Sequence, residues 1–227
     1  MNLIWILSIV FVSVIFIGIF ILAKFFTKPI DEENNSLLRI FPFEAKKNSI
    51  FQGNLYLIFI YLFSILCFSP IILITDGLGS LENLKTLSLI ISVILGLNGI
   101  VFVFINIFDV THVKAHLYLF TLFSFLSMLE AALIFVRSCV GYKLFLEHGN
   151  QNIGLLISMI LSGILFLLVV IICVNPKLKS WAKLEEIPGE NVTYKRPKKF
   201  VLAYSEWALF LSLFISEILY LFQLLAK

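Results

Sequence analysis

The sequence predicts an all-α polytopic membrane protein: six transmembrane helices in a compact bundle, both termini outside, and two basic cytoplasmic loops. Three observations carry that expectation. Hydrophobic residues make up 60% of the 227 positions against 14% charged, and the mean hydropathy is +1.04, so there is too little polar side chain to coat a water-facing surface. The apolar residues come in unbroken runs long enough to cross a bilayer, which takes about 20 residues at about 1.5 Å rise each. These runs lack the apolar/polar alternation of barrel strands, and backbone in lipid must satisfy its hydrogen bonds internally, which leaves helices. The three cysteines, eleven glycines and six prolines follow no period, which excludes a disulfide scaffold and collagen-like repeats.

The first span covers about 3–23 and stops at Lys24. It lacks the basic leader, short apolar run and small-residue cleavage site of a signal peptide, so a retained helix is expected. The second and third spans, about 54–75 and 87–108, contain respectively no charge between Lys47 and Asp76 and none between Lys85 and Asp109. A fourth, about 113–136, has Lys114 at its start and one charge inside, Glu130. The fifth covers about 153–175, and the sixth, about 200–224, carries Glu206 near its start and Glu217 inside. The chain 1–227 thus reads as a single membrane domain with long connections at 24–53 and 176–199.

Orientation follows from the basic residues, which resist translocation. Thirteen Lys and Arg fall on the side of the two long loops and the Lys114 turn, against four on the other side, Lys85, Arg137, Lys143 and Lys227. Both termini are therefore expected outside and the two long loops in the cytoplasm, in a cell (inner) membrane. The net charge of +3 fits topology and anionic headgroups, not nucleic acid. The sequons Asn34-Asn35-Ser36 and Asn191-Val192-Thr193 fall on the inner side and read as chance occurrences.

Lipid tails compete with Leu for contact, so membrane helices associate where small residues let backbones approach. Ser88, Ser92 and Gly96, with Gly99 nearby, form such a ladder on the third span. Gly154, Ser158 and Ser162 form another on the fifth, and Ala208, Ser212 and Ser216 a third on the sixth. The pattern predicts close contact between helices three and five.

A carboxylate at membrane depth costs a few kcal/mol on insertion scales, roughly 2.5 to 3.5, so Glu130 and Glu217 call for a reason. The fourth and sixth spans run in the same direction, and each Glu lies about 7 to 8 Å beyond its span's midpoint at the helical rise. They are expected at one depth, with Asn98 of the third span and Ser69-Pro70 of the second close to the layer. Two nearby carboxylates in low dielectric would share a proton or take up a cation. The alternatives are that each is protonated and hydrogen-bonded, fastening helices, or that a shifted helix leaves one at the headgroups.

Asp109, His112 and His116 form an inner-mouth polar cluster. Offsets of three and seven place them on one helix face, a geometry able to hold a divalent metal, with the plain alternative of a capping Asp and two histidines in wet interface. Haem is disfavoured because His112 and His116 share a face and His148 lies across the membrane. Cys67, Cys139 and Cys173 show no metal or disulfide spacing. There is no Walker loop, dinucleotide fingerprint, Gly-x-Ser-x-Gly elbow or His-Glu-x-x-His, hence no positive case for an enzyme and no expected cofactor.

Ser124-Phe-Leu-Ser-Met-Leu-Glu-Ala-Ala-Leu-Ile-Phe-Val136 resembles the second helix of the small K-type subunit of proton-pumping NADH dehydrogenase, and Phe41-Pro42-Phe43-Glu44 is similar to a loop of the A-type subunit. The resemblance implies a proton-related function. It departs from the K-type pattern in having Leu126 at the family's glutamate position with Glu130 one turn later, and the six-span plan fits neither subunit. The expectation is a transporter-like protein or a membrane subunit of a larger complex. Glu130, Glu217 and Asn98 would handle a proton or cation, and Asp109, His112 and His116 would stand at the inner mouth. The partners are the lipid bilayer and membrane or cytoplasmic subunits. The alternatives are a structural protein that docks a cytoplasmic partner through its basic loops, and a subunit of a proton-pumping oxidoreductase.

Overall fold

The computed structural model describes residues 3–26, 50–68, 82–108, 113–147, 149, 153–176, 178 and 201–225. Among them are six helices and no strand: α1 (Leu3–Phe26), α2 (Ile50–Cys67), α3 (Glu82–Ile107), α4 (Val113–Glu147), α5 (Ile153–Cys173) and α6 (Val201–Leu225). Four are long and apolar enough to cross a membrane, over Leu84–Ile107, Lys114–Glu147, Ile153–Cys173 and Val201–Leu224. The other two carry shorter apolar stretches, Ile6–Leu22 and Ile58–Cys67. Most of the expected loops 24–53 and 176–199 lies outside the described residues, as do Ser69-Pro70, both sequons, Asp109 and His112.

None of the six prolines falls within a described helix, in keeping with a residue that lacks the N–H donor and disfavours helical backbone before it. This corrects the second span. It was expected to run through Pro70 to about 75, but α2 ends at Cys67 with Phe68 in a turn. The fourth span also needs correction. It was expected to stop before Arg137, whereas α4 runs to Glu147. Arg137 is only 8% exposed and held by hydrogen bonds inside the bundle, so its charge does not end the helix. The helix instead stops just before Gly149, which has a φ of 74° and donates its N–H to the Leu146 carbonyl, a left-handed terminator.

Helices adjacent in sequence pack side by side, and α6 closes the ring by packing on α1 as well as α5. A further contact, α4 on α6, crosses the ring. Buried positions on α4 recur at steps of three and four through His116, Phe120, Phe123, Ser127, Glu130, Ile134 and Arg137, the stripe expected of one inward helix face. The polarity of the bundle is the reverse of a soluble protein's. Glu130, Glu217, Asn98 and several serines are buried, while Val10, Phe11 and Val14 of α1 and Ile160, Leu167, Leu168 and Ile171 of α5 are exposed. Such a continuous apolar exterior belongs against lipid.

The expected close contact between the third and fifth helices is not among the main helix pairings of the described residues, where α4 packs on both. The small-residue ladders meet other partners. On α5, Ser162 donates to Ser138 of α4 at 3.2 Å. On α3, Gly96 and Gly99 admit α2: a Cβ on Gly99 would stand 3.3 Å from both the Cα and the carbonyl oxygen of Ser64. The Ser64 hydroxyl donates to the Gly99 carbonyl at 3.0 Å. Gly99→Leu should therefore force α2 and α3 apart and destabilise the fold by about 1–3 kcal/mol, seen as a lower melting temperature of the purified protein. An unchanged melting temperature would contradict this backbone contact.

Candidate functional site

Glu130 of α4 and Glu217 of α6 are both fully buried and lie within electrostatic reach of one another. Asn98 of α3, also fully buried, donates its amide Nδ2 to Glu130 Oε2 at 2.8 Å and to Ser127 Oγ at 3.1 Å. The Ser216 hydroxyl of α6 stands beside the Glu130 carboxyl, and Cys67, the last residue of α2, is close enough to feel both carboxyls. The three residues singled out as a proton or cation site are thus brought together in the bundle interior. The hydrogen bonding is uneven. Glu130 Oε1, Asn98 Oδ1 and both carboxyl oxygens of Glu217 are buried without a hydrogen-bond partner among the described residues. These four unpartnered oxygens are of the kind that suits a proton or a hard cation, which binds through carboxylate and carbonyl oxygens.

His116 was expected in an inner-mouth cluster with Asp109 and His112, both of which lie outside the described residues. Its Nδ1 donates to the Phe108 carbonyl at 3.0 Å, and its Nε2 meets Glu206 Oε1 of α6 at 2.8 Å. A carbonyl can only accept, so Nδ1 carries a hydrogen. The Nε2–Glu206 contact then holds one proton between imidazole and carboxyl, whichever group owns it. Glu206 was noticed in the sequence only as a charge near a helix start. Among the described residues, no group of three His, Cys, Asp or Glu is arranged to hold a metal ion.

Between the two acidic levels sits an aromatic layer. Phe102 of α3 stacks on Phe210 of α6 at 5.0 Å with an interplanar angle of 2°. Phe63 of α2 packs edge-on against both, and Phe123 of α4 lies 6.1 Å from Phe102. At the helical rise, Glu130 lies about 21 Å along α4 from His116, and this layer occupies the interval.

Beyond Glu130, about 10 Å further along α4, lies Arg137, which the sequence placed in an outer connection. Its Nε donates to Ser88 Oγ and its Nη1 to Gln223 Oε1, each at 2.8 Å, and the guanidinium lies 5.5 Å from the centroid of the Tyr220 ring. The seven-residue spacing 116, 123, 130, 137 places Arg137 on the same face as Glu130 and was the available signal. From His116 to Arg137 the distance along α4 is about 31 Å, close to the roughly 30 Å hydrocarbon thickness of a bilayer.

Comparison with known proteins yields no matching family, no similar curated protein and no similar solved structure. The likeness of two short segments to subunits of NADH dehydrogenase therefore has no further support.

The Asn98 hydrogen bond makes a direct prediction. Asn98→Leu leaves Glu130 Oε2 without its donor and should lower stability by about 1–3 kcal/mol. Unfolding of the purified protein by heat or denaturant would measure this, and a variant as stable as the parent would contradict the contact.

Proposed function

We propose that this chain is a six-span protein of the cell membrane that moves a proton or small cation through its interior, with Glu130 and Glu217 as the carrying groups. Asn98 orients Glu130, and His116 with Glu206 exchanges protons at the inner mouth, where Asp109 and His112 adjoin it in sequence. Both termini face outward and the two long loops face the cytoplasm. The distribution of basic residues supports that orientation. With Arg137 inside the bundle, only Lys85, Lys143 and Lys227 remain on the outer side.

One observation carries the transport proposal: both carboxyl oxygens of Glu217 are fully buried with no hydrogen-bond partner among the described residues. A carboxyl that merely fastens helices is expected to use its oxygens in hydrogen bonds, because burying a polar group without one is costly. Glu130 meets that expectation through Asn98, so a fastening role has support for Glu130 alone. Glu217 gains nothing of the kind and is better explained as a group that exchanges its proton or accepts a cation.

In that account Glu217→Gln and Glu130→Gln each reduce pH-driven flux in reconstituted vesicles more than tenfold while the folded yield is kept. Glu217→Leu loses flux equally and melts no lower than the parent, since an unpaired buried carboxyl is replaced by an apolar group. Retained flux in Glu217→Gln, together with a lower melting temperature in Glu217→Leu, would make the carboxyl a fastener and the protein a structural or docking unit.

A further inference from the structure

Arg137 is a buried charge without a counter-charge. It is 8% exposed, and no carboxylate pairs with it among the described residues. Its hydrogen-bond acceptors are neutral, the Ser88 hydroxyl and the Gln223 amide oxygen. Their orientation is built in from several helices. Gln223 donates its Nε2 to Ser138 Oγ, which turns its oxygen toward the guanidinium. Tyr220 lies under the guanidinium, donates its hydroxyl to the Ser88 carbonyl at 2.8 Å and meets Ser92 Oγ at 3.1 Å. Three helices thus cooperate to hold one edge of the guanidinium rigid.

A guanidinium has five N–H donors. Two are used here, on Nε and Nη1, and Nη2 has no hydrogen-bond partner among the described residues. The location is a mouth of the bundle: Ser88 stands in the second turn of α3 and Gln223 in the last turn of α6. Dipoles alone do not neutralise a cation held out of water, and removing charge from water without a partner is unfavourable. A planar fork with open donors matches the paired oxygens of a carboxylate or phosphate better than it matches a spherical ion.

We propose that Arg137, fixed by Ser88, Gln223 and Tyr220, is a binding site for an oxyanion, a phosphate or carboxylate group presented at this mouth of the bundle. The group belongs either to a lipid headgroup, since the site lies at headgroup depth, or to a dissolved anion. The site is separate from the carboxyl pair, so its presence or absence leaves the flux proposal untouched.

The test uses the full chain in a phosphate-free maltoside detergent at constant ionic strength set with chloride. Melting temperature is followed during titration with inorganic phosphate, acetate or dioctanoyl phosphatidylglycerol. The parent is expected to show saturable stabilisation. A response to the dissolved anions identifies a soluble ligand, and a response to the phospholipid alone identifies the headgroup. Arg137→Gln should weaken the response more than tenfold, and Arg137→Lys should weaken it less.

Because Arg137→Gln can also impair folding, Gln223→Glu supplies the decisive variant. It places a permanent carboxylate against the guanidinium, so it should raise the ligand-free melting temperature and weaken the response more than tenfold. No saturable response to any of the three probes, or a Gln223→Glu protein that responds as the parent does, would overturn the proposal.

Discussion

A carboxyl group buried with nothing to hydrogen-bond is the constraint around which this bundle is arranged. Glu217 sits on α6, the helix that closes the ring and also meets α4 across it, and its two oxygens have no hydrogen-bond donor among the described residues. Glu130 approaches from α4 and is held by Asn98 of α3. In the proposed account, with few donors at this level, a proton or a cation would limit the repulsion between the two carboxyls. The serines, the asparagine and the close α2–α3 backbones around them set how closely the surrounding helices approach this layer.

The interior along α4 is a succession of polar and apolar layers. His116 with Glu206 occupies one end, the Phe63, Phe102, Phe123 and Phe210 cluster follows, then the carboxyl pair, then Arg137 with its neutral partners. Each polar level draws on α4 and α6, which explains why α6 is buried along nearly its whole length. The aromatic layer keeps the two acidic levels apart, so a proton passing between them requires those rings to move or water to enter. Together the levels extend over about the thickness of a hydrocarbon core.

Much of the helical plan was legible because it depends on local composition. Uncharged runs long enough to span show themselves directly, and the carboxyl layer followed from register, since Glu130 and Glu217 stand equally far along two spans expected to be parallel. What escaped depended on partners distant in sequence. The end of α2 was misplaced by treating Pro70 as a kink within a span when the helix stops before it. Arg137 looked like a loop residue because a charge after an apolar run ordinarily marks a boundary. Its hydrogen-bond partners Ser88 and Gln223 lie 49 and 86 positions away, beyond the reach of local pattern. His116 was grouped with its neighbours Asp109 and His112, whereas its partner Glu206 lies 90 residues on. Small-residue ladders announced close packing but not which helix would fill each one, and α4 took the place assigned to a contact between the third and fifth helices.

The central claim is that Glu130 and Glu217 face each other inside the bundle. It is tested most directly by replacing both with cysteine in a chain whose Cys67, Cys139 and Cys173 are changed to serine, then treating native membranes with a short bifunctional thiol reagent. Facing groups predict an intrachain link between positions 130 and 217, identified by mass spectrometry of the digested protein, and little labelling of either thiol by a maleimide dissolved in the lipid. Efficient labelling of both thiols from the lipid, without any link between them, would place the side chains on the outer surface and contradict the account.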